Sequence, residues 1–424
     1  MKATESRLSV IGLCAALIAG CGGGAGTTGG GGGGNNSTTV TFTFGGLNMP
    51  TEVAAKIGTG AFTPQTLSGN TLTLTIPSGT SNYAMAYVCS GQVSGLPAQF
   101  EYVWEASISD GTSPGQSCPV VSQTGTLTGS LDATAIGGVQ SFQIIAQNAG
   151  SLTSDSQGGG PSVVFSQPAP VGNDRVLVVA YNGQAAVAAR NFDNQTVPGA
   201  LNGSNTVVFG AADETSPEAI TYNNAPTGFF IPSTSVSLAV EGGAQAVYYG
   251  VGFGQYPALP ASATENGDAY FLEASAVASG SSSSEVVAET TNSGGPVSFT
   301  FPDPWSYAGP TPAALPSFTI GYTGFAGKTN VVQDASIEWR PGSGAGTAAL
   351  DLISVDATAN YQGGSTTLAV PDLSGVAGFL APPTSGTDVT WFASMWQQSY
   401  GLWSKTPLNS TTSLVDNHGS YTVP

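Results

Sequence analysis

From Thr38 onward, apolar residues fall on every second position. Val40, Phe42 and Phe44 alternate with Thr39, Thr41 and Thr43, and Leu72, Leu74 and Ile76 alternate with Thr71, Thr73 and Thr75. The alternation returns at Val236, Leu238 and Val240 and at Val297, Phe299 and Phe301. A period of two sends successive side chains to opposite faces of a strand, so these segments are predicted as half-buried strands with threonine outward. Arg175 to Tyr181 is instead a continuous apolar run after its first residue, which predicts a strand buried on both faces. Turn pairs such as Gly69-Asn70, Asp110-Gly111, Asn182-Gly183, Asn202-Gly203 and Gly363-Gly364 punctuate the chain. No segment sustains a helical period. The pattern predicts an all-β chain of tandem antiparallel β-sandwich modules, immunoglobulin-like or transthyretin-like.

A weak internal repeat supports several modules. Leu74-Thr75-Ile76-Pro77, Phe299-Thr300-Phe301-Pro302 and Leu368-Ala369-Val370-Pro371 each end an alternating strand on proline. Boundaries near 121, 232 and 312 divide the chain into modules at 38–120, 121–231, 232–311 and 312–424. Pro302 to Pro316 holds five prolines and reads as an extended linker.

The first residues follow another pattern. Lys2 and Arg7 precede an apolar stretch from Leu8 to Ile18, too short for a bilayer span of about 20 residues. It ends at Leu17-Ile18-Ala19-Gly20-Cys21, which resembles the lipobox of bacterial lipoproteins. The resemblance implies that residues 1–20 are a signal peptide and that Cys21 becomes a diacylated mature N-terminus. It also implies placement in the cell envelope, at the outer membrane or cell surface, with the lipid as membrane partner. Residues 21–37 then form the lipidated cysteine and its linker. Ten of the fifteen residues from Gly22 to Asn36 are glycine, a composition that buries no core and acts as a flexible tether.

Composition narrows the partners. Of 424 residues, 8 are Lys or Arg and 26 are Asp or Glu, for a net charge of −18. Such a chain repels phosphate backbones, which excludes nucleic acid. Once Cys14 leaves with the signal and Cys21 is acylated, Cys89 and Cys118 remain. In an oxidising compartment they are expected to form one disulfide, which the chain-entropy account values at about 3–4 kcal/mol.

The inventory for chemistry is short. His418 is the one histidine, six residues from the C-terminus, and the sequence reads it as part of a mobile polar tail. Zinc of the usual kind needs three or four His or Cys ligands, so no metal or other cofactor is expected. Gly111-Thr112-Ser113-Pro114-Gly115 matches G-x-S-x-G, but no helix pattern follows it and no histidine is near. Gly250-Val251-Gly252-Phe253-Gly254 lacks the helix a dinucleotide loop requires. Asp213 with Glu214, Glu265 with Asp268 and Glu101 with Glu105 are the carboxylate pairs open to glycosidase work. Asn173-Asp174, Asp193-Asn194, Asn266-Gly267-Asp268 and Asp416-Asn417 offer oxygen ligands for calcium, without the regular loop spacing.

Trp391, Phe392, Trp396, Tyr400 and Trp403 crowd into thirteen residues, with Gln397, Gln398 and Ser399 among them. Trp396, Tyr400 and Trp403 are the candidate ligand-stacking residues, able to lie on sugar rings; as core residues they would be buried instead. The expectation is a non-catalytic, lipid-anchored envelope protein with a structural, adhesive or interaction role and no catalytic residue. A carbohydrate-binding lipoprotein is the alternative, and a glycoside-cleaving enzyme comes third. Glycan or another surface protein is the expected further partner.

Overall fold

In a computed structural model the chain is all-β and its sheets stack as sandwich lobes. The structure describes residues 37–424 apart from 46–47, 94–95, 119–123, 149–150, 184, 232–233, 240–244, 249–253, 266–267, 279–283, 342–348 and 403–408. The alternating segments form strands in the expected phase. Val40 and Phe42 of Thr38–Gly45 face Leu74 and Leu72 of Thr71–Ile76, and all four are buried together with Phe44 and Ile76. The apolar run lies in Gly172–Asn182, a central strand between Ser141–Asn148 and Ala185–Val197. Its alternate residues feed two different cores: Val176, Val178 and Ala180 enter one, and Leu177, Val179 and Tyr181 enter the other.

The lobes are not strung out as beads. Residues 124–200 fold mostly as a lobe of their own, with Ser162–Pro170, Thr124–Asp132 and Gly199–Ala200 in a sheet against the one just described. The segments 38–120, 232–311 and 312–424, by contrast, all place strands in one large sheet. Its order runs Gln245–Tyr248, Thr234–Ala239, Ala269–Ala278, Ser284–Asn292, Thr411–Thr422, Asp388–Gln398, Val331–Trp339, Leu350–Thr358, Leu96–Ser107, Asn82–Val93, Glu52–Ile57 and Thr63–Pro64. The join between late and early chain is the parallel pairing of Leu350–Thr358 with Leu96–Ser107, where Val355 faces Val103 and Asp356 faces Trp104. The small sheet holding Thr71–Ile76, Thr38–Gly45 and Gly115–Ser117 packs on its early end. A disulfide from Cys89 to Cys118, with Cα atoms 5.5 Å apart, ties those two sheets together.

One face of the large sheet, the core face, carries Ala335, Ile337, Val355, Trp391 and Val415. The proline-rich stretch expected as a linker packs onto this face. Phe301 and Trp305 are buried, Trp305 stacks on Tyr307 at 5.2 Å, and Tyr307 meets Trp391 edge-on at 5.6 Å. Asn417 Nδ2 donates to the Trp305 carbonyl at 3.0 Å, and the Tyr421 hydroxyl donates to the Ala313 carbonyl at 2.8 Å. The reason is physical: aromatic side chains between the prolines give the strap apolar area to bury, and proline lowers the entropy lost on ordering it.

Trp391 sits between two glycines. A Cβ at Gly419, its cross-strand neighbour, would lie 2.8 Å from the indole, and one at Gly309 of the strap 2.6 Å from it. Gly419→Ala should therefore destabilise the protein by about 1–3 kcal/mol through overpacking. Thermal unfolding of the variant checks this, and an unchanged melting temperature would contradict the account of the Trp391 site.

Candidate functional site

The opposite face of the large sheet bears a row of acids. Cross-strand partners point to the same side, so the register fixes the row without ambiguity. Asp356 faces Asp334, Asp334 faces Ser394, Ser394 faces Asp416, and Asp416 faces Glu285. Five neighbouring strands thus present four carboxyls and one hydroxyl in line, spaced at about 4.8 Å per strand. Glu289 and Glu273 form a second cross-strand pair on the same face. Asp334, Asp416 and Glu285 are buried.

Few cations answer them. The Asp334 carboxylate accepts hydrogen bonds from Ser354 Oγ at 3.3 Å and Ser394 Oγ at 3.1 Å. Asp416 Oδ1 has no hydrogen-bond partner among the described residues, and His418 Nδ1 stands 3.9 Å from it. Burial therefore favours the protonated acids. It pushes Asp334 and Glu285 up to about 7 and Glu289 up to about 8, with the neighbouring charges of Asp416 on the first two and of Glu273 on Glu289 adding to the shift. Asp356 is raised well above the usual range by burial and by Asp334, and Asp416 is raised by burial. The row can hold and share protons. Its carboxyls stand side by side on a sheet rather than facing each other across a cleft.

This row was not found in the sequence. Each acid occupies the polar phase of an alternating strand, as Asp334 does in Val331–Trp339, but alignment into a row depends on which distant strands pair. His418 also requires a correction. It is not in a mobile tail: Thr411–Thr422 is an interior strand of the large sheet, bonded on both sides, because its apolar alternation has partners to pack against.

The other sequence candidates separate. Glu101 and Glu105 lie four residues apart on one strand, about 13 Å along it. Glu105 accepts from Lys56 Nζ at 2.8 Å and from the Tyr361 hydroxyl at 2.9 Å, whereas the buried Glu101 accepts from the Leu380 amide at 3.0 Å. Asp213 accepts from the Gly210 amide at 3.0 Å across a single helical turn. The loops proposed for calcium do meet in part, but around a guanidinium. Arg175 binds Asp268 through two nitrogens at 2.9 and 2.6 Å, with Glu265 at 3.7 Å and Asp193 at 3.9 Å. Among the described residues no group of three or more His, Cys, Asp or Glu side chains is arranged to hold a metal ion. Ser113 is exposed on the stretch leading into Gly115–Ser117, which runs beside Thr38–Gly45 rather than turning into a helix.

Of the aromatic candidates, Trp396 is buried at 8% exposure in the core under the small sheet, and Tyr400 is half-buried. Trp403 lies outside the described residues, as do Cys21, the glycine tract, Gly250 to Phe253 and Asn266-Gly267. A shallow cleft of 390 Å³ opens between Glu52–Ile57 and Thr71–Ile76, lined by Ile57, Thr63, Gln65, Thr73 and Leu74 among others, and none of its lining residues is charged.

No protein-family model matches the chain. No curated protein matches it. One solved structure, described as the Bacillus anthracis TIE protein, is similar over 92% of this chain and 67% of that chain, at 10% identity and a TM-score of 0.14. A likeness of that degree supports no conclusion about fold or function.

The acid row makes stability depend on pH in a definite direction. Its carboxyls bind protons more tightly in the folded state, so folding retains protons that the unfolded chain releases between about pH 4 and pH 7. Stability from this source is full below pH 4 and is lost as pH rises through 7. Asp132, at the end of the strand Thr124–Asp132, Asp193 and Asp372 shift the opposite way, but all three lie toward the surface, where solvent screens them. The melting temperature should fall between pH 5 and pH 8. Asp334→Asn, which needs no proton to stay neutral, should reduce that fall; a melting temperature that climbs with pH would overturn the reading.

Proposed function

We propose that this chain is a lipid-anchored cell-envelope protein with a structural or adhesive role and without a catalytic site. The observation that carries the reading is the burial of Trp396. A sugar-binding strip needs coplanar aromatics open to solvent, and this side chain instead fills the space beneath the small sheet. Trp391 likewise packs between the strap and the core face. The shared sheet adds to it: strands from early, middle and late chain are bonded into one body, which suits a part that bears load or presents a fixed surface. The lipobox-like Leu17-Ile18-Ala19-Gly20-Cys21 supplies the anchor in this reading. The glycine-rich composition of residues 22–36 suits a spacer between that anchor and the body in this reading.

The test is to change Cys21→Ser and fractionate the cells. The expected outcome is that the protein leaves the membrane fraction for the soluble exported fraction or keeps its signal uncleaved, and that fatty-acid labelling is lost. Mature protein that stays membrane-bound and labelled in this variant would overturn the anchoring. Turnover of a glycoside, ester or peptide substrate by the purified wild type would overturn the non-catalytic part.

A further inference from the structure

An exposed sheet edge invites pairing with another chain, and proteins blunt such edges with charge, proline, bulges or brevity. Three of the four described edge strands longer than four residues are blunted. Ser151–Gly158 carries Asp155, Ser162–Pro170 carries Pro168 and Pro170, and Ala185–Val197 carries Arg190 and Asp193. The fourth, Thr71–Ile76, has the sequence Thr-Leu-Thr-Leu-Thr-Ile, with no charge, no proline and an unbroken register. Across the adjoining cleft the large sheet ends on Thr63–Pro64, two residues closed by a proline.

The hydrogen bonds show what this edge leaves open. The Phe44 amide donates to the Asn70 carbonyl at 2.8 Å, and Phe44 and Asn70 continue the register of Thr38–Gly45 with Thr71–Ile76. Bonded pairs alternate along an antiparallel ladder. Leu72, Leu74 and Ile76 therefore turn their backbone groups toward Thr38–Gly45, and Thr71, Thr73 and Thr75 turn theirs outward. Thr71 is closed by Ser68, through bonds of 2.8 and 3.1 Å in the two directions. Thr73 and Thr75 are left with two amides and two carbonyls that have no backbone partner among the described residues.

We propose that Thr71–Ile76 is a self-pairing edge through which two copies of this chain join. Four outward groups at positions i and i+2 complement themselves under a two-fold axis. With the axis at Leu74, Thr73 of one copy pairs with Thr75 of the other, and Thr75 with Thr73. Four hydrogen bonds then satisfy every open group, and two three-stranded sheets become one of six strands. Charge favours a second copy at this place. Each chain carries −18, so two copies meet at least cost where the surface is neutral, and neither the strand nor the cleft it borders contains a charged residue. The side chains of Thr73 and Thr75 are exposed and would form threonine pairs across the joint.

Sedimentation equilibrium of the full chain in density-matched detergent tests this. The wild type should show a monomer–dimer equilibrium. Thr73→Lys with Thr75→Lys sets lysines opposite each other across the joint and should weaken dimerisation at least about tenfold. Ser166→Lys, exposed on the proline-blunted edge, should leave it unchanged. Circular dichroism and the intact Cys89–Cys118 linkage verify folding. If the double variant fails to fold, Thr73→Pro replaces it, because the amide it removes faces the open side. A wild type that is monomeric up to ~100 μM, or a folded edge variant that dimerises as well as wild type, would overturn the proposal.

Discussion

The parallel pairing of Leu350–Thr358 with Leu96–Ser107 holds the architecture together. Without it the large sheet would divide into an early piece, from Glu52 to Ser107, and a late piece built from the remaining strands. Parallel pairs need a long crossover, and here the chain between the two strands contains a whole sandwich lobe. The joint has a double role. On the core face it sets Val355 beside Val103, and on the other it sets Asp356 beside Trp104 and begins the acid row. Its setting is reinforced nearby: Asp110, in the turn after Leu96–Ser107, accepts from Thr358 Oγ1 at 2.6 Å and from Asn360 Nδ2 at 2.6 Å.

The acid row follows from composition as well as register. With 26 acidic and 8 basic residues, most carboxyls have no cation to meet. Two of the basic groups are committed, Lys56 to Glu105 and Arg175 to Asp268. An acid on the semi-buried face of this sheet then has two options, hydroxyl donors or a proton of its own. Asp334 has the first in Ser354 and Ser394, and burial moves the whole row toward the second. The sheet thus has a face held by apolar contact and a face whose energy depends on the surrounding proton activity.

Local features were legible in the sequence because they follow from period and turn chemistry. The strand phase of Val40, Phe42 and Phe44, the doubly buried run at Val176 to Tyr181 and the pairing of Cys89 with Cys118 need only neighbours in the chain or simple counting. Distant pairing was not legible. Nothing in Leu350–Thr358 announces that its partner is Leu96–Ser107, so the sharing of one sheet by three segments and the alignment of Asp356, Asp334, Asp416 and Glu285 stayed hidden. The strap from Pro302 to Pro316 was misread because proline density was weighed and the aromatics between the prolines were not. His418 was misread because nearness to the C-terminus was taken for mobility.

The place of Thr411–Thr422 has a consequence for the order of assembly. This last strand is inserted between Ser284–Asn292 and Asp388–Gln398, where it bonds to both. Two blocks of the largest sheet therefore cannot meet until residues 411–422 have emerged from the ribosome, after every other strand of that sheet. A chain interrupted before Thr411 would expose two open strand edges and break the acid row at Asp416, which marks it as unfinished to any protease or chaperone that samples loose chains. Order of synthesis is in this way written into the fold: the strand made after all the others of its sheet is the one that fills the gap.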